Sequence, residues 1–165
     1  MALSIDVRVL NPFLTAALEC VTVMGDLKPE RKRLFVKTTP IMHGEFAGVI
    51  GLSKGVTGSC VVSFPDTLAR RIVGRLMSED PDALSRDLVQ DGIGEVANMV
   101  AGGARRILSG SVLQFDISTP TILYGRPIQL YNPPDTIAIA CEFAVHPEWP
   151  ETFMVELATR PTQTG

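Results

Sequence analysis

The chain has 165 residues and a mass of 17.8 kDa, is 45% hydrophobic with a mean hydropathy of +0.22, and carries a formal net charge of −3. That is enough chain for one domain with a substantial core, and its slight acidity argues against nucleic acid or an anionic membrane as a partner. No apolar run approaches the ~20 residues of a membrane-spanning helix. Asp6 and Arg8 interrupt any signal-peptide core, so a cytoplasmic protein is expected.

Leu10, Phe13, Leu14, Ala17, Val21 and Met24 recur at helical spacing and predict an amphipathic first helix. Asn11 is its expected N-cap, Pro12 its first helical residue and Gly25 its closing residue. The basic cluster of Lys28, Arg31, Lys32 and Arg33 has two readings, a solvated loop before a strand or a docking patch for an acidic partner. Segments 34–42, 46–52 and 56–64 alternate in polarity and are rich in Val, Ile, Phe and Thr, with turn residues at His43-Gly44 and at 53–55. They predict an antiparallel meander. Pro65 and Asp66 then open a second helix with Leu68, Ile72, Val73, Leu76 and Met77 on its apolar side, and the chain breaks at 78–81.

The third predicted helix organises the rest. Residues 91–107 read DGIGEVANMVAGGARRI, preceded by Asp80 or Ser85 as candidate cap. At about 100° per residue, Val89, Ile93, Val96, Val100, Ala104 and Ile107 fall on one line, and Asp91, Glu95, Asn98, Gly102 and Arg105 fall opposite. A solvated helix face ordinarily carries long charged residues, whereas mid-helix Asn and Gly each cost roughly 0.5–1 kcal/mol relative to Ala. The stripe is therefore either a solvated face with two tolerated weak residues, or a flat polar surface made for close approach by a partner.

Farther on, 112–118 alternates as a half-buried strand and 121–131 has room for a short edge strand. Segments 136–145 and 151–159 form a final hairpin, with Trp149 at its turn in a packing or a functional role. Cys20, Cys60 and Cys141 are dispersed without CxxC or Cys/His spacing and read as buried, reduced thiols. His43 and His146 have no acid or nucleophile at a telling distance, and no metal-ligand pattern is visible. The expected fold is α/β with α+β character: a three-layer arrangement of a mostly antiparallel six-stranded sheet with helices packed on it. Residues 1–160 are expected to form a single domain and 161–165 a frayed tail.

The spacing Asp91-x3-Glu95-x2-Asn98, with Pro120 beyond it, resembles the active-site signature of the CheC/CheX/FliY chemotaxis phosphatases. So do Asn11-Pro12-Phe13, the strand FAGVIGL at 46–52, VVSFP at 61–65 and EVANMVAG at 95–102. A single ExxN copy makes the CheX branch the better match; Gly103 stands where the family often carries Asn.

The resemblance implies a phosphatase acting on the aspartyl phosphate of a CheY-like response-regulator receiver domain. Glu95 would pair with the receiver's lysine and Asn98 would hold the attacking water. Asp91, Gly102 and Arg105 would contact the partner. The chain would hold no cofactor or metal of its own, with Mg²⁺ on the receiver, and would form a homodimer paired through its sheets. The residue types are compatible with this. There is no nucleophile–base pair and no phosphate-cradling glycine loop, yet a carboxamide can both donate to and accept from a water, and phosphoryl transfer is largely positioning and electrostatics. Two alternatives stay open: a non-catalytic receiver-binding or signalling module of the same fold, and a structural domain whose polar face meets only solvent.

Overall fold

The computed structural model describes residues 5–160; the tail expected at 161–165 lies outside the described residues. The first helix, α1 (Val7–Thr22), begins a turn earlier than Asn11 would place it. The Asp6 carboxylate accepts the Arg8 backbone N–H at 2.8 Å and pairs with the Arg8 guanidinium, a better cap than Asn11 has available. Pro12 consequently lies inside the helix, where it removes one backbone hydrogen bond. The chain turns at Gly25, whose φ of +111° suits glycine.

The strands are β1 (Glu30–Val36), β2 (Phe46–Lys54), β3 (Gly58–Phe64), β4 (Phe115–Ile117), β5 (Thr121–Tyr124), β6 (Ile137–Ala144) and β7 (Thr152–Thr159). They form one seven-stranded antiparallel sheet in the order β1-β6-β7-β3-β2-β4, with β5 also on β2. The seventh strand, against the expected six, arises because β2 is long enough to serve two partners. Its start pairs with β5 and its end with β4. The β2–β3 and β6–β7 hairpins form as expected, whereas the three-stranded meander does not. β1 crosses to the far edge and pairs with β6 instead.

Arg31, Lys32 and Arg33 of the basic cluster are therefore part of an edge strand, and only Lys28 lies in the irregular chain before it. Arg33 reaches Glu142 of β6 at 3.4 Å and also covers Phe35.

Helix α2 (Asp66–Met77) starts after Pro65, and Glu45 accepts the Asp66 N–H at 2.8 Å. Ser85 caps α3 (Arg86–Ile107) by accepting the Leu88 N–H at 3.2 Å, while Asp80 caps the short 3-10 turn Pro81–Ala83. α3 runs unbroken through Gly92 and Gly94.

The main core lies between the helices and one face of the sheet, where Phe13 stacks on Phe115 and Phe153 on both Phe64 and Phe143. On the other face, Met42 and Ile128 from irregular chain cover Ala47 and Val61. Beside that cover, Lys37 and Glu156 form a buried ion pair at 2.8 Å.

All three cysteines are buried and unbridged. Burial pushes the Cys20 and Cys60 thiols up to about 12 and the Cys141 thiol to about 11. Each stays a neutral thiol at every pH below its raised value, and the reactive species is the thiolate. The native protein at pH 8 is thus expected to show no rapid reaction with a disulfide thiol reagent, and full titration after unfolding. A fast-reacting native thiol would mean that the core opens locally.

Candidate functional site

α3 is enclosed on most of its circumference by close packing. A Cβ on Gly103 would come within 2.8 Å of the Ala16 Cβ of α1. Ala97 lies directly over Gly48 of β2, and Gly92 faces Val73 of α2. What stays outward is the stripe of Asp91 and Glu95, both exposed, with Asn98 and Gly102 partly exposed.

The two neighbouring glycines have opposite roles. Gly103 is packed against by α1, so glycine there serves helix packing. A Cβ added to Gly102 would meet nothing within 4 Å, which leaves a bare patch of helix beside Asn98.

Glu95 and Asn98 stand three residues apart on the same side, a separation that puts Cβ atoms about 5–6 Å apart. Among the described residues, Asp91 and Glu95 make no ion pair and the Asn98 amide makes no hydrogen bond. The nearby cations are engaged elsewhere. Arg105 reaches Asp116 at 3.6 Å and Arg106 reaches Glu19 at 3.7 Å. Lys54 also contacts Asp116, at 2.5 Å, and its hydrogen bond holds the Asp116 carboxyl below the usual carboxylate range. Of the residues singled out in the sequence, Asp91, Glu95, Asn98 and Gly102 thus share one open strip, with Arg105 turned toward β4 at its border.

Pro120 comes to the same helix from the side opposite α1. A Cβ on Gly94 would lie 3.6 Å from the Pro120 Cγ and 3.2 Å from Ile122 Cδ1, so the segment leading into β5 walls the turn that carries Glu95.

On the other flank is a feature that sequence reasoning missed. An open groove of about 470 Å³ runs between α1 and α3, with Asn98, Met99 and Gly102 on one wall and Glu19, Cys20 and Val23 on the other. Its only trace in the sequence is Val23, an apolar residue off the core line of the first helix; the structure leaves it 71% exposed.

The face holds a carboxylate and a carboxamide but no nucleophile beside a base, and among the described residues no cluster of His, Cys, Asp or Glu is placed to hold a metal. It can meet a cation and orient a water. Such a face completes a reaction site brought by another molecule.

The open antiparallel sheet with its helices packed on one face is a fold shared with solved CheX and CheC-like structures. Residues 46–144 match the family described as Chemotaxis phosphatase CheX, and the chain belongs to that family.

A curated relative from Thermotoga maritima, named CheY-P phosphatase CheX, is 28% identical over 126 residues, covering 76% of this chain and 81% of its own. The crystal structure of chemotaxis protein CheX from Vibrio vulnificus superposes with a TM-score of 0.77 at 29% identity, over 91% of this chain and 98% of that one. The CheX of the CheX–CheY–BeF3–Mg complex from Borrelia burgdorferi shares the fold, with a TM-score of 0.77 at 23% identity over 95% of this chain and 99% of that one.

Proposed function

We propose that this protein hydrolyses the aspartyl phosphate of a CheY-like receiver domain. The observation that carries the reading is the unpartnered Glu95–Asn98 pair on an otherwise packed helix, next to a bare glycine. The name of the Thermotoga relative and the composition of the Borrelia complex support it.

In this reading the receiver brings the acyl phosphate, the Mg²⁺ and a lysine. Glu95 pairs with that lysine and sets the register of docking. Asn98 holds a water in line with the bond to be broken, its side-chain oxygen accepting from the water and its N–H₂ donating to the phosphoryl group or the water. The water oxygen bonds to phosphorus, the phosphorus–carboxylate bond breaks, and the aspartate leaves as carboxylate with inorganic phosphate as the other product. No strong base is needed, because the transition state of phosphoryl transfer is loose and the barrier responds mainly to alignment and charge. Asp91 and Arg105 border the contact, and the chemistry asks no metal of this chain.

The test is phosphate loss from each receiver domain of the source organism, with and without this protein. Acceleration of at least one is expected. Binding without acceleration would instead make the protein a receiver-docking module, and no binding at all would leave the polar face structural.

We further propose that residues 1–160 act as one domain in the cytoplasm and assemble as a homodimer with one site per subunit. No helix among the described residues is long and apolar enough to cross a membrane. Support for the dimer comes from β1, an open sheet edge on which Leu34 and Val36 are 45% and 60% exposed. Light scattering at micromolar concentration is expected to return twice the monomer mass; a monomer mass across that range would remove this part of the proposal.

A further inference from the structure

We infer that the groove between α1 and α3 receives an apolar side chain of the phosphorylated receiver, projecting from the surface next to its phosphorylation site, and that Val23 and Met99 thereby help to select the receiver. This rests on the receiver-phosphatase reading above and adds a second contact to it.

The groove is continuous with the catalytic pair. Asn98 and Gly102 line it, and one helical turn of about 5.4 Å separates them. A receiver has to bring its phosphoryl group to Asn98, so its surface passes over Gly102, where no side chain holds it off. The space it then covers is this groove.

The lining states what fits. Ala16, Gly102 and Gly103 are small, which lets the two helices approach and keeps the floor close to backbone. Val23 stands 71% exposed at the end of α1. Met99, across from it, is half-buried with its sulfur 4.0 Å from Cys20 Sγ. A thioether is flexible and polarizable and adapts to a range of apolar shapes.

Polar and apolar groups share the lining: Asn98 is half-buried, and Glu19 and Arg106 face each other at 3.7 Å with both side chains more than half exposed. Exposed pairs of this kind contribute little stability, so either partner can turn to a charge on the incoming surface. A protein side chain, held by the rest of a docked surface, needs only apolar contact.

The variant to make is Val23→Glu, with Val23→Leu as its conservative counterpart. Val23 is exposed at a helix end, so neither change disturbs the core, and unfolding temperatures are expected to match the parent. The probe is the receiver of the source organism that binds the parent protein most tightly when activated with beryllofluoride and Mg²⁺, measured by calorimetry. Phosphate release at varied receiver concentration is followed in parallel.

Val23→Glu is expected to weaken binding about tenfold and raise the half-saturating receiver concentration by a similar factor, with the maximal rate within about twofold. Val23→Leu is expected to bind like the parent. Unchanged binding by Val23→Glu overturns the groove contact while leaving the phosphatase reading intact. If the parent binds a receiver without hastening phosphate loss, the phosphatase reading fails and the Val23 comparison still decides the groove. A parent that binds no receiver overturns both.

Discussion

Asn98→Ala is expected to lower receiver dephosphorylation about 10²-fold or more, equivalent to about 2.7 kcal/mol of transition-state stabilisation, with receiver affinity nearly unchanged. The expectation follows from what the side chain does in the free protein. The Asn98 amide has no hydrogen-bond partner among the described residues, so its removal leaves no partner group unsatisfied.

An interaction made chiefly with an in-line water contributes in the transition state and little in the docked ground state, so the loss should appear in the maximal rate. Asn98→Asp is the sharper probe. It is nearly the same shape, yet it lacks the amide donor and places negative charge beside the phosphoryl group, and it should be at least as damaging as alanine.

Glu95→Ala should differ in kind, weakening receiver binding as well as turnover, because its role is to meet the receiver's lysine. The double change should be little worse than the poorer single one, since two groups serving one docked complex are not additive. Near-parental rates for both Asn98 variants would mean that the water is held by some other group, and the proposed mechanism would have to be given up.

Gly102→Lys is expected to abolish receiver dephosphorylation while leaving the protein as stable as before or more so. Most inactivating changes lower stability, and this one should not, because the added side chain starts in open space. Mid-helix glycine is about 0.8–1.0 kcal/mol less favourable than alanine, and lysine is close to alanine, so a slightly higher unfolding midpoint is expected. Gly102→Ala adds one methyl to the same bare patch and should act mildly.

The pair of measurements, chemical unfolding and phosphate release, separates obstruction from misfolding. Full activity in Gly102→Lys would mean that the receiver does not approach across this turn of α3. The adjacent position offers a contrast. A methyl on Gly103 would meet Ala16 Cβ at 2.8 Å, so Gly103→Ala should be felt first as lost stability through the α1–α3 contact.

The periodicity of residues 89–107 determined the two faces of α3 except at its last residue, Ile107, which was expected on the core line and is 46% exposed, since a helix repeats every 3.6 residues and no distant partner is needed to sort Val96 and Val100 from Glu95 and Asn98. The β2–β3 and β6–β7 hairpins were legible for the same reason. Each pairs segments joined by a short connection, so local alternation and turn residues suffice. The candidate site is similarly local in its chemistry, as Asp91, Glu95, Asn98 and Gly102 lie within four turns of one helix.

Local signals misled where two of them competed. Asn11-Pro12 is a sound helix start, yet Asp6 and Arg8 form a better one a turn earlier. Only the tertiary structure decided that β1 joins β6 at the far edge, that β2 is shared between β4 and β5, and that Gly103 is reserved for α1 while Gly102 is left bare. The α1–α3 groove belongs with these. Its walls are some eighty positions apart in the chain, and residue identity carries no record of which distant surface will come to lie alongside, because that is set by the burial of both apolar helix faces against one sheet.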